Sequence, residues 1–167
     1  MSEADRHPAV RVERVELLST IAGELIGELN RELTEQYPEE GACFFRLDPE
    51  EVAPGRGGFF VAWANDRPVG CGAIRLVDAD RAEIKRMYVR RESRGQRISA
   101  AILDVLESEA ARLGATCLVL ETGNRQREAI GLYRRRGFTD IAAFGEYGSS
   151  PLSLYLGKSL QPRPSAT

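Results

Sequence analysis

Between Arg81 and Arg97 the chain places seven basic residues (Arg81, Lys85, Arg86, Arg90, Arg91, Arg94 and Arg97) against two acidic ones, Glu83 and Glu92. The excess falls where a strand-like run hands over to a helical stripe. A helix N-terminus exposes unpaired amide N–H groups and the positive end of the macrodipole, so arginines gathered there make an anion site, most naturally for phosphate. A solvated basic face is the plainer alternative. The order of residues favours the site, because Arg94-Gly95 stands immediately before the helix and a glycine there lets the chain approach a ligand closely. Other chemistries find few residues. The single histidine, His7, lies in a polar terminus, which argues against histidine triads and zinc sites of the usual spacing. Cys43, Cys71 and Cys117 are odd in number and widely separated, as inert buried thiols would be. There is no G-x-x-x-x-G-K-[ST], and Gly70-Cys71-Gly72 lacks a third glycine in register, so nucleotide hydrolysis is unsupported.

At 167 residues and 18.5 kDa, with 43% hydrophobic and 29% charged residues, the chain suits one folded domain. Twenty-three basic residues against twenty-five acidic ones leave a charge of -2. No global positive field draws it to DNA or RNA. No run approaches the roughly 20 apolar residues that span a bilayer, and the opening MSEADRHPAV lacks the apolar core of a secretory signal. These features lead us to expect a cytoplasmic protein with neither a nucleic-acid nor a membrane partner; a homodimer is compatible with the sequence. Residues 1–8 read as a flexible N-terminus, 9–158 as one domain and 159–167 as a loose tail.

The elements that must position the basic cluster are legible from periodicity. Val10 to Val15 reads as a strand. Leu17, Leu18, Ile21, Leu25, Ile26, Leu29 and Leu33 then form one amphipathic helix, or two broken near Gly23 or Gly27. Tyr37 to Gly58 reads as a long loop. Phe59 to Ala64 and Val69 to Leu76 flank the turn-forming Asn65-Asp66-Arg67-Pro68 and predict a hairpin. A third strand, Arg81 to Val89, loses phase between Ile84 and the pair Met87 and Val89. That slip predicts a β-bulge near Lys85 and Arg86, unless the strand is simply buried on both faces. A helical stripe from Ile98 to Leu113 ends at Gly114, and the apolar run Thr116 to Leu120 predicts a buried parallel strand reached by a right-handed crossover. A helix at about Gln126 to Arg136, closed by Gly137, precedes strands at Phe138 to Ala142 and Pro151 to Leu156.

Three segments together resemble a known family: Ala82-Glu83-Ile84-Lys85-Arg86-Met87-Tyr88-Val89, then Arg94-Gly95-Gln96-Arg97-Ile98-Ser99, then Ala129-Ile130 with Leu132-Tyr133 and Gly137-Phe138. In order and spacing they are similar to the motifs of the GNAT superfamily of acetyl-CoA-dependent N-acetyltransferases, over about Phe59 to Leu156. The resemblance implies an α/β fold (α+β) with a mixed, mostly antiparallel twisted sheet of six to seven strands, about four flanking helices and a central parallel crossover. It also implies acetyl-CoA as co-substrate, without a metal. Pantetheine would lie along Met87, Tyr88 and Val89, where the strand splays from its parallel neighbour. The pyrophosphate would sit on the amides of Arg94, Gly95, Gln96, Arg97, Ile98 and Ser99. The family pattern [QR]-x-x-G-x-[GA] has small residues where this chain has Arg97 and Ser99; an amide can donate from either. Gln126 stands where many members have asparagine and carries over as a cofactor contact.

For the reaction, Tyr133 resembles the family tyrosine that gives a proton to the departing sulfur. Its phenol, with a reference pKa of about 10, is protonated at neutral pH. A core aromatic beside Ala129 and Phe138 is the alternative. Glu83 matches the strand position used as general base in some branches. Glu121 competes with it, since carboxylates at strand C-termini in open α/β sheets often face the ligand crevice; a surface salt bridge is the alternative for both. Phe44, Phe45, Tyr147 and Ser150 are candidates to line a pocket for a small-molecule or peptide amine. A non-catalytic acyl-CoA binder is the first rival, made more credible by Arg97 and Ser99. A nucleic-acid module using the arginine cluster with Arg134, Arg135 and Arg136 is the second.

Overall fold

The computed structural model describes residues 9–39, 47–145 and 150–160. In chain order the elements are β1 (Val10–Arg14), α1 (Thr20–Gln36), a 3-10 turn (Pro49–Val52), β2 (Gly57–Ala64), β3 (Arg67–Leu76), β4 (Arg81–Val89) and a second 3-10 turn (Arg91–Ser93). They continue with α2 (Ile98–Arg112), β5 (Cys117–Gly123), α3 (Arg127–Arg135), β6 (Thr139–Asp140) and β7 (Ser153–Ser159). The strands form one sheet in the order β1-β2-β3-β4-β5-β7-β6. Among the described strands only β4 and β5 run parallel, and α2 makes the crossover between them.

Local chemistry explains most boundaries. Asn65 and Asp66 both take positive φ, 49° and 62°, giving the two-residue hairpin turn that matches strand twist. The Ser19 side chain accepts the Ala22 N–H and sets the start of α1 at Thr20 rather than Leu17. α1 then runs unbroken through Gly23 and Gly27 to Gln36, so a single helix stands where a break was an alternative. The expected loop from Tyr37 to Gly58 contains the Pro49–Val52 turn and already enters β2 at Gly57. The strand expected from Phe138 shrinks to Thr139–Asp140. The Phe138 N–H closes α3 on the Tyr133 carbonyl at 3.0 Å, and its side chain is drawn into the core. β7 starts at Ser153 because a turn about Ser150, whose hydroxyl accepts the Leu152 N–H, precedes it.

Alternation along the strands feeds two cores. Phe60, Ala62, Ile74, Ala82, Ile84, Leu118 and Leu120 pack on one face with Ile102, Leu103 and Leu106 of α2. Phe59, Val61, Cys71 and Ala73 pack on the other with Ala22 and Leu25 of α1. Each fully buried leucine or isoleucine contributes about 1.5–3 kcal/mol, so both helices are held firmly to the sheet. Among the described residues no helix is long and apolar enough to cross a membrane.

Candidate active site

The parallel strands separate. β4 and β5 are paired from Arg81↔Cys117 to Ile84↔Leu120 and no further. β4 continues along β3 to Val89, while β5 continues along β7 through Glu121 and Thr122 to Gly123. The result is a V-shaped opening in the middle of the sheet.

A bulge turns β4 away. Arg86 has φ +58°, and the β3–β4 register jumps from Ala73↔Lys85 to Cys71↔Tyr88. The phase slip read from the sequence is therefore real: Met87 and Val89 join the α2 face, and Tyr88 joins the α1 face. Two β3 residues make it possible. A Cβ on Gly72 would lie 2.7 Å from Ile102 Cγ2 and 2.9 Å from Met87 Sδ, so any larger residue would have to displace the α2 face or the bulged strand. The Cys71 thiol donates to the Arg86 carbonyl at 3.2 Å. Burial pushes that thiol up to about 12 and keeps its proton in place. Cys117 is half-buried, and Cys43 lies outside the described residues.

Beside the opening, the chain enters α2 through two left-handed residues, Gly95 (φ +81°) and Arg97 (φ +62°, ψ +21°). The main-chain N–H groups of residues 95 to 100 donate to no protein acceptor among the described residues. Arg97 occupies the conformation that glycine favours, so its side chain leaves this amide ladder intact. It is exposed and makes no ion pair or hydrogen bond among the described residues. Ile98 is buried in the core and Ser99 is half-buried.

The arginine cluster is less open than its sequence suggests. Arg90 is ion-paired with Glu28 at 2.7 Å. Arg94 pairs with Glu32 at 2.7 Å, donates to the Val89 carbonyl at 2.9 Å and lies over the Tyr88 ring. Arg91 reaches Glu35 at 3.6 Å. Three carboxylates on one face of α1 thus hold these guanidinium groups, a docking role that the local charge count missed. Glu28, Glu32 and Glu35 carry the signal in their spacing, but nothing local says what they meet. The Tyr88 hydroxyl donates to Glu28 at 3.3 Å, and its pKa is pushed up to about 12, mainly by burial and then by the charges of Glu28 and Glu32. Gln126, at the start of α3, donates its side-chain amide to Gln36 of α1.

The acid–base candidates divide by environment. Tyr133 is 4% exposed, edge-on to Phe138 with centroids 5.5 Å apart, and burial raises its pKa. Among the described residues its hydroxyl makes no hydrogen bond. Glu83 is fully buried and clasped by Arg75 at 2.8 Å, and Arg75 also binds Glu51. Its salt bridge is therefore internal. Glu121 is half-buried at the first position past the last β4–β5 pair. Desolvation raises its pKa; the Ser153 side-chain hydrogen bond opposes this, the Glu83 charge adds to it and Lys85 opposes it. By register, Arg75, Glu83, Lys85 and Glu121 share the α1 face and run as a charged belt to the opening. Ser150 is half-buried in the turn before β7; Phe44, Phe45 and Tyr147 lie outside the described residues.

α1 spans the opening. Beyond its pairs with the arginines that follow β4, its C-terminal end meets the β5–α3 loop, where the Tyr37 hydroxyl accepts the Arg125 N–H at 2.7 Å and Glu39 holds the Arg125 guanidinium. Tyr37 thus packs on Gly123 at the end of β5, a contact that no sequence motif announced.

Known proteins resemble this chain in sequence and fold. The profile of the Acetyltransferase (GNAT) family matches residues 25–138. The IAA acetyltransferase of Azospirillum brasilense is 40% identical over 154 residues, covering 92% of this chain and 99% of that one. Among solved structures, a Klebsiella pneumoniae protein provisionally described as an acyl-CoA N-acyltransferase superposes with a TM-score of 0.77 at 29% identity, covering 91% of this chain and 98% of that one. A GNAT family acetyltransferase from Elizabethkingia anophelis with acetyl-CoA bound gives 0.64 at 19% identity, with 90% and 98% covered. A parallel pair that opens beside a bulge and an unpaired amide ladder is thus seen in a chain that belongs to the GNAT family of acetyltransferases and is an acyltransferase.

Proposed function

We propose that the protein moves an acetyl group from acetyl-CoA to the primary amine of a small molecule or peptide by direct attack in a ternary complex. The observation that carries this reading is the opening itself: unpaired β4 and β5 edges, with free amides of residues 95 to 100 at one end and Glu121 beside the last strand pair. Unpaired strand edges fit the amide-bearing pantetheine arm, and the amide ladder fits a diphosphate. These are the features that acetyl-CoA would need. Met87, Tyr88 and Val89 would border the arm, and the main chain of Arg94, Gly95, Gln96, Arg97, Ile98 and Ser99 would hold the phosphates. Gln126 would contact the cofactor from α3 by releasing Gln36.

Bound acetyl-CoA supplies an activated thioester carbonyl. Glu121, directly or through one water, removes the proton from the acceptor ammonium so that the nitrogen lone pair can attack. As the C–N bond forms and the C–S bond breaks, Tyr133 gives its proton to the sulfur, and the attacking nitrogen releases its second proton, which returns to the Tyr133 phenolate, yielding a neutral acetamide and the free thiol of coenzyme A. A raised pKa suits both roles: it keeps Tyr133 protonated and makes Glu121 a stronger base than an exposed carboxylate. Glu83, with one oxygen on Arg75, acts on Glu121 through its charge. Arg97 keeps the left-handed turn in spite of its side chain, so its departure from the family's small residue does not argue for the acyl-CoA-binder alternative.

Thiol release from acetyl-CoA with a panel of amines tests the proposal. Tyr133→Phe should lower kcat about 100-fold while leaving coenzyme A affinity near that of the parent. Tight binding without turnover for every amine would replace the enzyme with the binder.

A further inference from the structure

Tyr37, the residue that ends α1, takes no part in the scheme above. It is 6% exposed. Its ring presses on Gly123, the last residue of β5, where a Cβ would stand 2.2 Å from the Tyr37 hydroxyl oxygen and 2.5 Å from the carbon bearing it. Only a glycine lets the hydroxyl descend to the strand. The oxygen accepts the Arg125 main-chain N–H at 2.7 Å, and the Arg125 guanidinium lies 5.0 Å from the ring centroid. The position of the phenol is fixed from three sides. Its hydrogen, however, reaches no acceptor among the described residues. A buried donor left in that state is costly unless a ligand completes it.

The donor stands where an acceptor would enter. Glu121 and Gly123 are two residues apart on β5, so they share a face about 6–7 Å apart. Both lie past the last β4–β5 pair. Tyr37 covers this stretch from the α1 side, whereas Tyr133 belongs to the core on the opposite face. A molecule in the opening therefore meets a carboxylate and, one same-face position further on, a phenolic donor.

Resting on the reading that Glu121 takes the proton of the acceptor amine, we propose that Tyr37 is a second acceptor-binding residue, donating to an oxygen carried close to that amine. The acceptor class is then a primary amine with a neighbouring carbonyl or hydroxyl oxygen, as in an amino amide, an amino alcohol or a peptide α-amine. A plain alkylamine leaves the Tyr37 hydrogen unfilled, and a site built to hydrogen-bond a substrate oxygen discriminates against an analogue lacking it.

The test uses ethanolamine and propylamine, which differ by a hydroxyl in place of a methyl, with thiol release as the readout. The parent enzyme should favour ethanolamine in kcat/KM. Tyr37→Phe, which keeps the ring, should reduce the ethanolamine-to-propylamine ratio about tenfold, with the loss appearing in the KM for ethanolamine. Gly123→Ala, which displaces the hydroxyl, should reduce the same ratio. A melting temperature and coenzyme A affinity close to the parent's separate this from misfolding. If the ratio is unchanged because both amines lose equally or neither loses, Tyr37 is structural and the proposal falls alone. If no amine releases thiol with the parent enzyme, the acetyltransferase reading falls and takes this one with it.

Discussion

Glu83 and Glu121 lie on one face of adjacent strands, yet they have opposite surroundings. Arg75 takes an oxygen of Glu83 in a site without solvent, whereas Glu121 sits at the edge of the opening with its pKa raised first by desolvation. A base must be able to meet the group it deprotonates, which is why Glu121 rather than Glu83 is the base we propose. Glu121→Gln should lower kcat by 100-fold or more at pH 7. In the parent, activity should rise with pH as Glu121 loses its proton, with a midpoint above the usual carboxylate value of about 4.3. That acidic limb should vanish in the glutamine variant, as kcat measured against pH will show. Glu83→Gln should behave differently, lowering stability by about 1–3 kcal/mol through the weakened Arg75 contact, and an equilibrium denaturation curve checks it. The sequence offered both carboxylates and could not choose, because the choice depends on Arg75 and Ser153, each on another strand.

At the scale of elements, β4 was readable and α1 was only half so. The bounds of β4 and its bulge follow from the apolar phase of Ile84, Met87 and Val89, a local signal carried by consecutive residues. The helix was equally plain from the spacing of its leucines and isoleucines. What its charged face does was hidden, since Glu28 and Arg90 are 62 positions apart, as are Glu32 and Arg94. Local counting therefore gathered around a phosphate several arginines that the fold pairs with a helix, while the turn it read at Gly95 is present, with φ +81° and amides that donate to no protein acceptor among the described residues. The two β4 devices make separable predictions. Gly72→Val forces two methyl groups toward Ile102 and Met87, should cost about 1–3 kcal/mol, and should weaken coenzyme A binding as β4 shifts, measured by calorimetry. For α1, the Arg90 hydrogen bond lowers the Glu28 pKa. A carboxylate lowered in the folded state stabilises above its unfolded pKa, and the gain is lost as pH falls through the folded pKa. Glu28→Gln should thus lower the melting temperature at pH 7, and its curve should converge with the parent's on acidification below about pH 4.

Over the whole molecule, the sheet consists of two leaves, β1 to β4 and β5 to β7, joined directly among the described residues by the pairs from Arg81↔Cys117 to Ile84↔Leu120. α1 is the second tie, holding Arg90 and Arg94 on one leaf and Arg125 and Gln126 on the other. α2 closes the far face, packing on β2, β3 and β4. A ligand seated between the leaves would touch both and add a third tie, present in the native state and absent from the unfolded chain. Mass action then sets the size of the effect. Acetyl-CoA at 100 times its dissociation constant adds about 2.7 kcal/mol of stability, which for a domain of this length raises the melting temperature by roughly 5–10 °C. The shift should depend on the main chain more than on the arginines. Gly95→Val, which puts a branched side chain on a φ of +81°, should abolish most of it by distorting the ladder. Arg97→Ala should retain most of it, because its amide is unchanged. Arg94→Glu should lower the melting temperature without ligand by confronting Glu32, and its loss of coenzyme A affinity should follow from the displaced α1. Thermal scans of the four proteins with and without acetyl-CoA decide the matter: an unaltered shift in Gly95→Val would remove the diphosphate from this turn.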